Sequence, residues 1–210
     1  MTPFYVALHL YDPLAPATMA AGDVYGGEAR LFVLTDDSLA KALFTVLESI
    51  ADKGARLERI EFAGPVETFQ PDHFPFEIDV IAMSDDAMET GDICSSPAYT
   101  YAPWDAPQPS GVSLAVLDLF DPSMVSGNQP YAGEQCLAAV PGDPDSALRG
   151  LLEVLENDDI RLKALEDLRD SAEAEPDEYD AEWDIAELVG EAKETNGPAF
   201  SLAFAYERED

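Results

Sequence analysis

Two short segments with the same pattern decide how this chain folds: "VALHLYDP" at residues 6–13 and "AVLDLFDP" at residues 115–122. Each segment alternates apolar with mixed residues and ends on Asp-Pro. This pattern is typical of a β-strand that runs into a turn. The chain therefore opens each of its halves with the same predicted strand.

The segments that follow these strands also match each other. "YGGEARLFVLTDDSLAKALFTVLE" at residues 25–48 aligns with "YAGEQCLAAVPGDPDSALRGLLEVLE" at residues 131–156, with two extra residues at the turn. In each half the order is a strand, a second strand that follows a glycine, and a helix. Elements that repeat in the same order indicate an internal duplication.

Both predicted helices carry local start signals. In the first half, Ser38 follows two aspartates at the helix start, and Gly54 supplies the stop. In the second half, Asp143 is the predicted N-cap and Pro144 the first helical residue. Leucines recur at helical spacing in both segments, so each helix presents one apolar face that a sheet must cover.

The remainder of each half differs in its predicted elements. The first half continues with strands "RLERIEFAG" at residues 56–64 and "FPFEIDVIAM" at residues 74–83. The second half continues with helices at residues 161–172 and 180–194 and ends on the strand "AFSLAFAYE" at residues 199–207. We therefore predict an α+β protein of two related halves, with mostly antiparallel sheet and helices packed on one face.

The predicted halves are joined by a proline-rich segment. Residues 1–84 form the first α+β half, residues 85–110 a linker or ordered loop, and residues 111–210 the second half with an acidic helical insertion. The joining segment contains Tyr99, Tyr101 and Trp104. Because aromatic side chains rarely remain solvated, we expect this segment to pack onto the neighbouring elements.

The sequence contains no pattern that indicates catalysis or a cofactor. His9 lies within a predicted strand and aligns with Asp118, and His73 lies in a proline-flanked aromatic turn, so structural roles are expected for both histidines. Cys94 and Cys136 have no basic neighbour that would activate a thiol, and the sequence leaves open whether they meet in space. No glycine-rich phosphate loop follows a strand. We expect no catalytic residue and no cofactor.

Dedicated metal sites are also not predicted. The acidic run "DEYDAEWDIAEL" places Tyr179, Ala181 and Trp183 where a calcium loop needs oxygen ligands, and it lacks the required glycine. His and Cys clusters of the kind that bind zinc do not occur. A catalytic pair of carboxylates for glycoside chemistry stays open, since its spacing is set in three dimensions.

The charge of the chain limits its partners. It carries 43 acidic against 11 basic residues, a formal net charge of −32. Such a chain repels nucleic acids and anionic lipid surfaces, whose binding relies on Lys and Arg. The N-terminus lacks a basic region before its short apolar run, so no signal peptide is predicted, and a cytoplasmic location is expected. The expected partner is a basic protein.

The acids concentrate in one region. Residues 166–194 contain thirteen acids against Arg169 and Lys193, a net charge of −11. On a helical wheel the apolar residues of 180–194 form one stripe, and Trp183 falls among the carboxylates on the opposite side. In the alternative, the helix starts after Trp183 and the ring folds into the core. The predicted partner-binding residues are Asp177, Glu178, Asp180, Trp183, Asp184, Glu187 and Glu191.

These features favour a binding function. A compact acidic chain of this general character resembles polymorphic-toxin immunity proteins, which implies that it neutralises a cognate bacterial toxin, a basic enzyme such as a nuclease, by occluding its active site. A DNA mimic directed at restriction or chromatin proteins is the alternative within the same class. A hydrolase that uses surface carboxylates is the alternative from another class, and adaptation to a high-salt host would explain the charge without any partner.

Overall fold

A computed structural model describes residues 1–15, 24–70, 78–103, 107–125, 131–180 and 182–207. The chain divides into two compact units, Met1–Pro107 and Gln108–Asp210. Within the described ranges the protein is α+β, with antiparallel open sheet and four α-helices. None of the described helices is long and apolar enough to cross a membrane.

The first unit is built around a central strand with a neighbour on each side. Strand β1 pairs antiparallel with β2 and with β3, while the short strands β4 and β5 pair with β2. A turn of 3-10 helix at Val66–Thr68 follows β3. The elements of this unit are β1 (Thr2–Tyr11), β2 (Gly27–Asp36), α1 (Leu39–Asp52), β3 (Arg56–Pro65), α2 (Val80–Thr90), β4 (Cys94–Ser95) and β5 (Tyr99–Tyr101).

The second unit has the same order of strands and α-helices. Strand β6 pairs antiparallel with β7 and β8, and the short strands β9 and β10 pair with β7. Its elements are β6 (Val112–Phe120), β7 (Tyr131–Pro141), α3 (Pro144–Asn157), β8 (Arg161–Asp170), α4 (Ile185–Thr195), β9 (Ala199–Phe200) and β10 (Phe204–Glu207).

Helices cover both faces of the sheet in each unit, so the prediction that they pack on one face is wrong. Tyr5 and Ala7 belong to the core cluster that α2 covers through Val80 and Ala87. Val6 is fully buried and points to the opposite face, because successive side chains of a strand alternate. Helix α1 contacts all three long strands, and its buried residues lie outside the α2 cluster of described residues. It therefore covers that opposite face.

The second unit repeats this arrangement. Leu114 and Val116 lie in the core cluster covered by α4 through Leu188 and Ala192. Leu117, on the opposite face of β6, is fully buried, and α3 contacts the three long strands of this unit. Strands that are covered on both faces read as nearly continuous apolar runs, as the opening segments do.

Residues 161–172 were predicted as a helix, and this prediction is wrong. They form β8 followed by a 3-10 turn at Ser171–Glu173. Leu162, Leu165 and Leu168 recur every three residues, a spacing that suggests a helix face. Strand β8 achieves the same spacing because its pairing with β6 shifts register twice and skips Lys163 and Glu166. Each extra residue turns the next leucine back to the same face.

The same irregularity occurs in the first unit. The β1–β3 register skips Glu58 and Glu61, so Leu57, Ile60 and Ala63 share one face. The register shifts fall between Ala7 and Leu8, between His9 and Leu10, between Val116 and Leu117, and between Asp118 and Leu119. The β1 residues that flank the two register shifts align in sequence with the β6 residues that flank the shifts of the second unit.

Two further predicted strands differ from the structure. Residues 80–83 belong to α2, because Asp79 accepts a hydrogen bond from the Ala82 N–H and acts as N-cap. Residues 74–77 of the predicted strand lie outside the described residues, as does His73. The predicted strand at residues 199–207 is divided into β9 and β10. Ser201 lies in the break, where its Oγ accepts from the Leu137 N–H.

The proline-rich segment between the predicted halves contains regular structure. Residues 85–90 complete α2, and β4 and β5 pair with β2, so this part of the chain belongs to the first unit. Tyr99 packs against the core cluster under α2, as its aromatic character predicts. Trp104 lies outside the described residues.

We predict that Ser96→Ala lowers the free energy of unfolding by about 1–3 kcal/mol. Ser96 is buried, and its Oγ accepts from the Leu31 N–H at 3.0 Å and donates to the Pro97 carbonyl at 2.9 Å. Removal of the hydroxyl leaves a buried backbone N–H without this acceptor. Urea denaturation measures the change. Ser95→Ala, on the exposed neighbour, is the control, and an equal effect of both variants would contradict the prediction.

Candidate partner-binding surface

The acidic region consists of a loop followed by a helix. A 3-10 turn at Pro176–Glu178 precedes the loop, and α4 begins at Ile185. Asp184 is the N-cap, and its carboxylate accepts from the Glu187 N–H at 3.0 Å. The predicted helix at residues 180–194 therefore begins several residues later than expected, and Asp180 belongs to the loop.

Trp183 is buried, so the wheel prediction that places it on the polar face is wrong. Its side chain packs in the core cluster of the second unit, with its ring centroid 6.0 Å from that of Phe204. The wheel does not apply to Trp183, because this residue precedes the N-cap and lacks helical geometry. The alternative, in which the helix starts after Trp183 and the ring enters the core, is the one observed. The residue is 8% exposed.

The carboxylates of the predicted surface face solvent, but several have local roles. Asp180 Oδ1 accepts from the Glu182 N–H at 2.9 Å, and Asp184 caps α4. Glu178 binds Arg169 and also accepts from the Glu175 N–H. The exposed members of the predicted set are Asp177, Glu178, Asp180, Asp184, Glu187 and Glu191.

A buried ion-pair network holds this loop on β8. Arg169 donates to Asp167 at 2.6 Å and to Glu178 at 2.7 Å, while the Tyr179 hydroxyl donates to Asp167 at 3.0 Å. Burial lowers the pKa of Arg169, but Asp167, Tyr179 and Glu178 together raise it by more, so the pKa of Arg169 is raised overall. The arginine is therefore a permanent cation at the base of the acidic loop. The sequence contained one signal for this network: Arg169 is the one arginine among the thirteen acids of residues 166–194.

The same network keeps Tyr179 neutral. Burial, and then the negative charge of Asp167, raise the pKa of the Tyr179 phenol. A neutral phenol can donate its proton to the Asp167 carboxylate as a hydrogen bond. The role of Tyr179 is therefore to position the loop.

Helix α4 carries acids that have no such internal partner. Glu187, Glu191 and Glu194 are exposed, and their spacing puts them on neighbouring turns of one side of the helix. Among the described residues, no salt bridge is formed by any of the three carboxylates. Leu188 and Ala192 bury the opposite side of the helix. This rigid element therefore presents uncompensated negative charge to solvent.

A second polar cluster lies on the second unit, between β6, β8 and β10. Lys163 Nζ is 3.5 Å from Asp118 and bonds to the Tyr206 hydroxyl, which donates to Asp118. Burial, and then this hydrogen bond, raise the pKa of Tyr206. A phenol with a raised pKa stays protonated at neutral pH and therefore does not accept a proton as a general base. The cluster ties the strands together and supplies no activated group.

The histidine and thiol groups of the described residues are not arranged as an activated nucleophile. His9 Nε2 lies 2.9 Å from Glu61, and its ring packs beside Tyr101. Burial raises the pKa of Cys94, and it raises that of Cys136 to about 12. Both thiols are free, and a raised pKa opposes formation of the reactive thiolate. Whether His9 has a purely structural role stays a prediction.

Metal binding has no evident site among the residues that the structure describes. Within those ranges, no group of three or more His, Cys, Asp or Glu side chains could hold a metal ion. The acids of α4 are instead spread along its exposed side.

Comparison with known proteins provides no family for the chain. No family model matches the sequence, no curated protein matches it, and no solved structure matches its fold.

We predict that Arg169→Leu lowers the free energy of unfolding by about 3–5 kcal/mol, because it leaves the buried Asp167 carboxylate without its cation. The side chains of this pair are 10% and 11% exposed. Arg149→Leu is the control, since it removes an ion pair with Asp145 whose side chains are about a third exposed. We expect that control to cost less than about 1 kcal/mol. Equal losses in urea denaturation would show that the Arg169 network contributes no more than a surface pair.

Proposed function

We propose that this chain is a protein-binding inhibitor, an immunity protein that neutralises a cognate bacterial toxin by occluding the active site of that basic enzyme. A nuclease is the favoured type of toxin. The observation that carries the proposal is the row of exposed carboxylates on α4, which have no salt bridge among the described residues. The formal net charge of −32 extends this negative field over the chain.

The spacing of the acids suits a site that binds a phosphate backbone. Glu187 and Glu194 are seven residues apart, so at ~1.5 Å per residue they span about 10 Å along α4. Successive phosphates of one DNA strand rise by ~3.4 Å, so this length covers a few phosphates. Carboxylates along α4 can therefore pair with lysines and arginines that a nuclease uses to hold its substrate. The acidic field also speeds the encounter between the two proteins.

The rigidity of the acidic surface supports an inhibitory role. Arg169 and Tyr179 hold the loop before α4 on the sheet, and Trp183 anchors the same loop in the core. A preorganised surface loses less conformational entropy on binding than a mobile acidic tail. In this proposal Trp183 supports the surface from beneath, while Glu187 and Glu191 contact the partner.

We also propose that the two units descend from one duplicated unit. A tyrosine hydroxyl accepts from the backbone N–H of an aspartate in each unit, at 3.0 Å for Tyr25 and Asp12 and at 3.2 Å for Tyr131 and Asp121. Asp12 and Asp121 occupy aligned positions of the opening segments, and Tyr25 and Tyr131 occupy aligned positions of the segments that follow. The bulges of β3 and β8, which fall at matching positions, support the same origin.

A pair of serines gives independent support for the duplication. The Ser96 N–H donates to the Leu31 carbonyl, and the Ser96 hydroxyl accepts from the Leu31 N–H. Ser201 makes the same two bonds with Leu137. Such a paired side-chain and backbone contact is not required by strand pairing in general.

The proposal entails a binding protein of the cytoplasm that has no catalytic activity of its own. Free thiols at Cys94 and Cys136 are compatible with a reducing compartment. A toxin that attacks nucleic acid must be neutralised in the same compartment.

We predict that Glu187→Lys/Glu191→Lys weakens binding of the captured basic enzyme by more than about tenfold, because two attractive contacts become repulsive. The immobilised chain is used to capture proteins from its native host, and the captured protein is purified and assayed for nuclease activity. Calorimetry then measures the dissociation constants of the wild type and the variant at fixed salt.

The matched control is Glu153→Lys/Glu156→Lys, which makes the same change in net charge on the exposed side of α3. We expect this control to bind and inhibit nearly as well as the wild type. Equal weakening by both variants would mean that total charge, and not the α4 surface, governs binding. A captured DNA-binding protein without toxic activity would support the DNA-mimic alternative instead.

A further inference from the structure

Helix α2 of the first unit exposes two large apolar side chains. Ile81 is 65% exposed and Met88 is 54% exposed. Val80 and Ala87 bury the other side of the helix in the core cluster of the unit. The exposed pair therefore contributes little to the packing that holds α2 on the sheet.

The two apolar side chains lie on one side of α2. They are seven residues apart, which is two helical turns, so they stand above each other along the axis. Asp85 lies between them on the same side, and Asp86 and Glu89 follow around the exposed surface. None of these three carboxylates forms a salt bridge with the described residues. We call the five residues Ile81, Asp85, Asp86, Met88 and Glu89 the α2 face.

Helix α4 shows that the fold does not require apolar residues at these positions. Both helices have 11 residues, an aspartate N-cap and a left-handed residue at the C-cap, so their positions correspond one to one. Ala186 corresponds to Ile81, and Lys193 corresponds to Met88; both are exposed. Because a short side chain and a charged one occupy the same places in α4, packing within the unit does not explain the apolar character of Ile81 and Met88.

We propose that the α2 face docks a basic amphipathic segment of the partner. Apolar side chains of that segment pack against Ile81 and Met88, while its lysines or arginines pair with Asp85 between them and with Asp86 and Glu89. Interfaces combine an apolar centre with a polar rim in this way. The inference rests on the proposed function for the nature of the partner, a basic protein. It adds the α2 face as a second contact surface, besides the one proposed on α4.

Charge complementarity determines this choice of occupant. A second copy of the chain would bring another formal charge of −32 against the carboxylates of the α2 face, so self-association there is disfavoured. A neutral apolar partner would desolvate these carboxylates without pairing them, which is costly. A basic segment both pairs the acids and covers the apolar side chains.

The experiment uses two synthetic peptides of equal length and charge, one of lysine and leucine in an amphipathic helical pattern and one with serine in place of leucine. Each peptide is titrated into the full-length chain, and NMR chemical shifts give the site and the dissociation constant. We expect the leucine peptide to bind about tenfold tighter than the serine peptide, because it buries Ile81 and Met88. The largest shifts are expected along α2.

The variant Ile81→Ala/Met88→Ala removes the apolar side chains without changing the charge, and alanine is a favourable residue in an exposed helix. We expect the two peptides to bind this variant equally. Leu202→Ala is the control, since Leu202 is 84% exposed outside α2, and it is expected to keep the tenfold preference. Unchanged amide spectra away from α2 verify that the variants fold.

The inference is overturned if the wild type binds both peptides equally, if the preference persists in the alanine variant, or if the shifts centre away from α2. Concentration-dependent dimerisation that the alanine variant abolishes would also overturn it, since the occupant would then be a second copy. The peptide result is independent of the proposed inhibitor function. Selective peptide binding without any captured basic enzyme would reject that function and leave the docking surface in place.

Discussion

Four extra residues in the strand pairings determine how both units are organised. The β1–β3 pairing skips Glu58 and Glu61, and the β6–β8 pairing skips Lys163 and Glu166. Each skipped residue resets the alternation of its strand. Side chains three residues apart can then share one face and meet a helix. Without these bulges, each leucine of β8 would alternate between the two faces, and the apolar surface beneath α3 would be broken. The central strands β1 and β6 remain covered on both sides for this reason.

The distribution of charge follows from this architecture. Arg169 pairs with Asp167 of β8 and with Glu178, and it holds the loop that leads into α4. Acids on the outer sides of α2 and α4 are not paired with described basic residues. The buried pair gives the loop one conformation, while the outer acids supply a long-range field at little cost in desolvation. Paired and solvent-exposed acids therefore lie within a few residues of each other in the same segment.

Internal comparison of the units separates what the fold needs from what it leaves free. The bulges, the tyrosine contacts with Asp12 and Asp121, and the bonds of Ser96 and Ser201 occur in both units. These features link strands in both units. The exposed positions of α2 and α4 differ in apolar and charged character, because solvent-facing side chains contribute little to stability and can vary.

Sequence by itself determined the elements whose signals are local. Helix α1 begins after Ser38 and helix α3 after Asp143, as predicted, because an N-cap side chain bonds the backbone three residues away. Strands β1 and β6 were likewise predicted from their alternation. The acidic character of α4 was also evident, although its first residue was not.

Tertiary structure alone decided that residues 161–170 form a strand, that helices cover both faces, and that Trp183 is buried. A three-residue apolar repeat fits either a helix or a bulged strand, and only pairing with β6 selects the strand. The orientation of Trp183, which precedes the N-cap, depends on its packing in the core cluster and not on helical periodicity.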